Sequence, residues 1–213
     1  SIETKIRTVQ SHAAWTIGTA VKNTEEFFPY ALEEVILKKG NAATAIQLLI
    51  DIFCENYNDP NSWEVRILLS KSIYAIGAVL RGNHLAQTHV VSTGGFDRIG
   101  KRYRELSQER INSASAKLIQ RLAALSMDIF EESSTQNKSS NEKMDIAIMK
   151  SLTSSDFCVA TCGILSSKKF LPTTVQETVL MAISVLGPHC EDSSCAVKDV
   201  RSNIEWIQIG RAH

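Results

Sequence analysis

The fold class this sequence predicts is all-α, a solenoid of stacked helical repeats, and three observations carry that reading. Apolar residues recur at intervals of three and four along most of the chain, and almost nothing alternates as a strand would. Ser11 to Asn23 aligns without gaps on Ser70 to Gly82, an internal repeat. Hydrophobic residues make up 44% of the 213-residue chain and aromatics only 7%, which suits helices packed through Leu, Ile, Val and Ala.

The elements follow in order. Ile2, Ile6, Val9, Ala13, Ile17 and Ala20/Val21 form one apolar stripe and predict a helix over Ile2–Asn23. Thr24-Glu25-Glu26 is a helix start, and Phe27/Phe28, Ala31/Leu32 and Val35 give a second stripe ending at Lys38-Lys39-Gly40. Pro29 either opens that helix or kinks it. A third helix is expected over Ala42–Glu55, burying Ala45/Ile46, Leu49/Ile50 and Phe53. Asn58-Asp59-Pro60 is a turn, and Asn61 to Glu64 fits a capping box before a long helix that ends at Leu80 and Gly82. A short helix over His84–Ser92 leads to a Gly94-Gly95 turn, then to a helix from Phe96 to Leu106 and another over Asn112–Phe130. The polar stretch 131–142 reads as a solvated loop. Helices are expected again at 143–152, 155–165, 173–186 and 196–209.

The repeat organises these helices. Trp15 meets Tyr74, Ile17-Gly18 meets Ile76-Gly77, and Lys22 meets Arg81. Weaker copies are Ala123-Ala124-Leu125-Ser126 and Met181-Ala182-Ile183-Ser184, so equivalent Ile or Leu positions are 59, 49 and 58 residues apart. Those steps exceed the about 40–47 residues of a three-helix repeat, which implies inserted loops or turns. The Gly or Ser of each copy falls where a side chain would force crossing helices apart. The reading is one domain over 1–213, with clear repeats at 1–106 and degenerate ones at 107–213. Because the chain opens directly on a long helix, further repeats and any targeting signal are expected upstream of Ser1.

Ala13-Ala14-Trp15-Thr16-Ile17-Gly18-Thr19 resembles the third-helix motif of armadillo repeats, where a Trp and an Asn four residues on line the concave groove. Here position 19 is Thr and position 78 is Ala, so the Asn ladder of nuclear-import adaptors is missing. The longer string Ala14 to Asn23, with Phe27-Phe28-Pro29-Tyr30 and Leu32-Glu33, is similar to a narrower group. These are the armadillo-type nucleotide exchange factors of the seventy-kilodalton heat-shock chaperones. Ser72 to Arg81, then Gly94-Gly95-Phe96, looks like the next repeat of the same group, and the match covers about half of the chain, residues 7–106. The degree of divergence most resembles the member of the endoplasmic reticulum lumen that serves BiP, with the cytosolic member as the alternative.

The resemblance implies a co-chaperone that clasps lobe II of the chaperone's ATPase domain in its concave groove, opens the cleft and promotes ADP release. It implies a one-to-one complex of monomers, without cofactor. The other reading is a generic armadillo or HEAT adaptor with no exchange activity. The groove candidates are Trp15, Thr19 and Lys22, spaced to share one helix face, and Tyr74, Ala78 and Arg81 one repeat later. Side by side, the two rows would place aromatics at one end and cations at the other.

Other chemistries find little support. Charge is balanced at 23 basic against 23 acidic residues, which gives no general attraction to nucleic acid. No apolar run reaches the roughly 18–20 residues of a membrane span. Phosphate loops, dinucleotide fingerprints and nucleophile elbows are missing, and His189-Cys190 with Asp192 and Cys195 lacks the paired spacing of a zinc site. No enzyme, and no metal, is expected. Cys54, Cys158 and Cys162 read as buried thiols, while Cys190 and Cys195 bracket a polar loop and are a disulfide candidate. Asn137-Lys138-Ser139 is a glycosylation candidate within the polar stretch.

Overall fold

The computed structural model describes residues 2–37, 42–57, 59, 62–109, 112–135, 142–166 and 171–190. Among them are nine α-helices: α1 (Ile2–Asn23), α2 (Ala45–Cys54), α3 (Trp63–Leu80), α4 (His84–Ser92), α5 (Gly95–Gln108), α6 (Ser113–Thr135), α7 (Glu142–Leu152), α8 (Ser155–Ser166) and α9 (Thr173–Leu186). The all-α solenoid class holds. The chain divides into two compact units, Ser1–Ile99 and Gly100–His213.

In the first unit α1 and α3, the two helices related by the internal repeat, pack along each other. The face that α1 buries is not the stripe of large apolar residues. Ser11, Ala14, Gly18 and Val21 are buried, whereas Ile2 is 80% and Val9 70% exposed. Small residues win the interface because backbones can approach there. A Cβ added at Gly18 would lie 2.8 Å from the Tyr74 ring and 2.9 Å from the Ala75 Cα. The large stripe sits about one residue, or 100°, further round the helix. Periodicity finds both stripes but ranks them by hydrophobicity, whereas steric approach ranks them by size.

The helix expected after Thr24 does not form. Two 3-10 turns, Glu25–Phe27 and Pro29–Ala31, replace it, followed by a strand β1 (Glu34–Ile36) paired antiparallel with β2 (Ala42–Thr44). Pro29 occupies the first position of the second turn, where its fixed φ fits and its missing N–H costs nothing, but an α-helix cannot run through it. The segment Glu34-Val35-Ile36 then carries two β-branched residues into extended backbone.

Because β2 takes Ala42–Thr44, α2 starts three residues later than the stripe suggests. Thr44 caps it with a reciprocal box: Gln47 N–H donates to Thr44 Oγ1, and Thr44 N–H donates to Gln47 Oε1 at 2.8 Å. Ile46, Leu49, Ile50 and Phe53 are buried, as expected. At α3 the capping residue is Ser62, whose Oγ accepts from Val65 N–H at 3.4 Å, rather than Asn61, which lies outside the described residues. The α3–α4 turn uses Gly82 at φ 68, a left-handed conformation that suits glycine. Asn83 Oδ1 caps α4 by accepting from Ala86 N–H, and the buried Gln87 side chain donates to the Leu80 carbonyl at 2.8 Å. Gly94, also at φ 68, turns α4 into α5 as the Gly-Gly pair foretold.

In the second unit α6 packs against α9 and α7, and α8 packs against α9. Asn112 Oδ1 caps α6 by accepting from the Ala114 and Ser115 N–H groups, each at 3.0 Å. The helix overruns the expected polar loop as far as Thr135. The Ser134 and Thr135 hydroxyls donate to the Glu131 carbonyl and are satisfied within the helix, whereas the buried Ser133 Oγ has no hydrogen-bond partner. The sequon Asn137 and the helix expected at 196–209 lie outside the described residues. Gly100 admits the Phe157 ring, since a Cβ there would sit 2.8 Å from it, and Tyr103 meets Phe157 edge-on at 6.1 Å.

The cysteines depart from expectation. Cys190 is bonded to Cys158, not to Cys195, with Cα atoms 5.9 Å apart. Cys158 stands in the first turn of α8, and Cys190 follows the turn after α9, so packing of those helices joins them across 32 residues. Cys162 is disulfide-bonded as well, leaving Cys54 as a half-buried thiol. Cys195 lies outside the described residues. Loop length had favoured the near neighbour, but helix packing supplied another.

Three outcomes follow from this packing. Gly18→Ala should destabilise the first unit by about 1–3 kcal/mol, because the Ala75 backbone cannot move aside cheaply; a urea midpoint equal to wild type would refute the close approach. Removing the Cys158–Cys190 bridge with Cys190→Ser should cost about 4 kcal/mol by chain entropy, read from the denaturation midpoint of the second unit. The third concerns Tyr103, whose fully buried hydroxyl is pushed far above its ordinary pKa of 10.0 by desolvation, with Thr161 opposing weakly. The unfolded chain therefore loses this proton at lower pH than the folded one. Its contribution is intact below about pH 10 and declines above it by up to about 1.4 kcal/mol per pH unit. Urea midpoints across pH 9–11 should fall more steeply for wild type than for Tyr103→Phe.

Candidate functional site

The α1–α3 pairing brings the first repeat row onto the second. Trp15 stacks on Tyr74 with ring centroids 5.0 Å apart and planes 26° from parallel. This is the offset arrangement that aromatic quadrupoles favour. Trp15 is 45% exposed and Tyr74 half-buried, so the pair is anchored to the solenoid yet open to solvent.

Gly18 is the local cause. With no side chain three residues after Trp15, the Tyr74 ring can lie where a Cβ would otherwise be. Lys22 stands in the last turn of α1, where its charge also answers the helix dipole, and its Nζ lies 5.9 Å from the Tyr74 ring centroid. The cation of the first row therefore reaches back over the aromatic of the second.

The remaining candidates contribute less. Thr19 is half-buried, and its Oγ1 is buried with no hydrogen-bond partner. Ala78 is half-buried on α3, one turn after Tyr74. Arg81 is exposed and forms the C-cap of α3, with extended backbone at φ −65 and ψ 128, and its N–H donates to the Gly77 carbonyl at 3.2 Å. The second row thus leaves the helix at its last member.

One residue at this surface was missed by sequence reasoning. Lys71 Nζ sits 3.3 Å from the Trp15 ring centroid. The signal lay in spacing, because Lys71 precedes Tyr74 by three residues and so shares its face. The repeat alignment concealed it by pairing Lys71 with His12.

No group of three or more His, Cys, Asp or Glu among the described residues is placed to hold a metal ion, and Cys190 is committed to its bridge. Among the same residues no helix is long and apolar enough to cross a membrane. What the surface offers is aromatic area and positive charge on a rigid helix pair.

Comparison with known families gives a match over residues 2–209 to the SIL1/FES1/HPBP1 C-terminal domain. The chain belongs to that family. Neither a curated protein nor a solved structure matches it significantly. The SIL1/FES1/HPBP1 family comprises nucleotide exchange factors of the seventy-kilodalton heat-shock chaperones. Its members are co-chaperones rather than catalysts, and membership implies such a chaperone as partner. The family match extends well past residue 106, where the resemblance read from the sequence fades.

Proposed function

We propose that this chain grips the ATPase domain of a BiP-type chaperone with the α1–α3 face, clasping lobe II, and so speeds ADP release. The observation that carries the reading is the exposed Trp15–Tyr74 stack flanked by cations, in a chain of this family. Large aromatics held rigid before binding lose little entropy on association and make effective anchors. The cations suit an acidic, partly apolar partner surface.

The mechanism is a matter of linked equilibria. The factor must bind the open nucleotide cleft more tightly than the closed one, or it would shift nothing. By reciprocity ADP weakens binding of the factor by the same ratio, and ATP, which also favours closure, helps to release it. The complex in this reading is one monomer on one chaperone.

For compartment we propose the endoplasmic reticulum lumen. The Cys158–Cys190 bridge and the oxidised Cys162 support it, because disulfides persist in oxidising compartments and are rare in the cytosol. In that setting Asn137 is the acceptor for an N-linked glycan.

The test combines Tyr74→Ala with Arg81→Glu. We expect chaperone binding to weaken by about 2 kcal/mol, roughly thirtyfold, with a normal melting curve. The readout is release of labelled ADP from the isolated ATPase domain as the factor is titrated. Wild-type protein that leaves the off-rate unchanged would point to a generic adaptor instead. A double variant that melts normally and accelerates release at wild-type concentrations would move the contact surface elsewhere.

A further inference from the structure

Lys71 makes the closest contact in the aromatic row, and its surroundings give it more than a packing role. At 3.3 Å from the Trp15 centroid its ammonium lies well inside the roughly 6 Å reach of a cation–π contact. The indole removes water from one side of the charge. An ammonium carries three N–H donors and cannot turn all of them to a ring, so it keeps donors for another acceptor.

That acceptor is not supplied by the described part of the chain. Other cations of the first and second units have carboxylates in reach: Arg98 meets Asp51 at 2.7 Å, and Arg104 meets Asp156 at 3.1 Å. Neither Lys71 nor Lys22 has such a partner among the described residues. Two cations without ion-pair partners therefore share a row of four contacting side chains: Lys71, Trp15, Tyr74 and Lys22. Trp15 remains nearly half exposed in that row, so its free surface is available to whatever approaches Lys71.

We propose that Lys71 is a specificity-determining contact of this surface, which pairs with an aspartate or glutamate of the chaperone ATPase domain while Trp15 covers the ion pair. The proposal rests on the function argued above and adds to it the residue that selects an acidic partner. Trp15 holds the ammonium in place before binding, which limits the rotamer entropy a lysine would otherwise lose. A carboxylate arriving beside the indole exchanges water for a low-dielectric wall, so the pairing is stronger than between two exposed charges. A partner with lysine or arginine at that point would be rejected by the same geometry.

The test uses the 213-residue chain and the isolated chaperone ATPase domain, with affinities measured at low and at moderate salt. Lys71→Glu should weaken binding about tenfold or more at low salt and flatten the salt dependence, because a favourable charge pair becomes a repulsive one. Lys71→Met keeps the stem against Trp15 and removes only the charge; it should lose affinity at low salt and converge on wild type as salt rises. Lys71→Arg should bind within about threefold of wild type, since it retains the charge and stacks on aromatic faces. Circular dichroism melts of all three should match wild type. If Lys71→Met and Lys71→Glu bind with wild-type affinity and salt slope, the proposal is overturned although the exchange function stands. If wild type itself fails to bind the ATPase domain, the functional reading falls and takes the proposal with it.

Discussion

The first unit depends on one missing side chain. At Gly18 the backbone of α1 comes so near to α3 that a Cβ would fall within 2.9 Å of both the Tyr74 ring and the Ala75 Cα. Ala14 and Ser11, one and two turns earlier, continue the small-residue seam. The Tyr74 ring occupies the space the glycine leaves, and Trp15, three residues before Gly18, can then stack on it. Lys22 and Lys71 add their charges to the same pair. Helix packing and the candidate binding surface are therefore two consequences of the same contact.

The second unit reaches close packing by other means. Gly100 makes room for the Phe157 ring, which meets Tyr103 edge-on in the core. A disulfide ties the start of α8 to the chain leaving α9. Covalent closure of that kind acts mainly on the unfolded ensemble, so it supports this unit without dictating how the helices pack. Disulfides persist in oxidising compartments, so under the proposed lumenal location the stability of this unit is coupled to its surroundings.

The proposed working surface is stacked aromatics and cations on paired helices, and among the described residues no cluster of three or more His, Cys, Asp or Glu is placed to hold a metal ion. What such a surface supplies in the proposed role is recognition. For a co-chaperone that suffices, because binding energy spent preferentially on one conformation of the partner is enough to shift the partner's equilibrium. Rigid anchors matter in this role, since a surface that deformed to fit both conformations would discriminate neither.

Much of the architecture was legible in the residues alone. The gapless match of Ser11–Asn23 to Ser70–Gly82 revealed that α1 and α3 are equivalent, and Gly94-Gly95 marked its turn. The His84–Ser92 helix and α9 lie where periodicity placed them. These are local properties, set by periodicity, capping and backbone freedom within one or two turns. Which stripe of α1 is buried, which sulfur Cys190 meets and which cation covers Trp15 were settled only in three dimensions. Each depends on distances between segments tens of residues apart. Such distances follow from how closely two backbones can approach, and one-dimensional spacing does not record them.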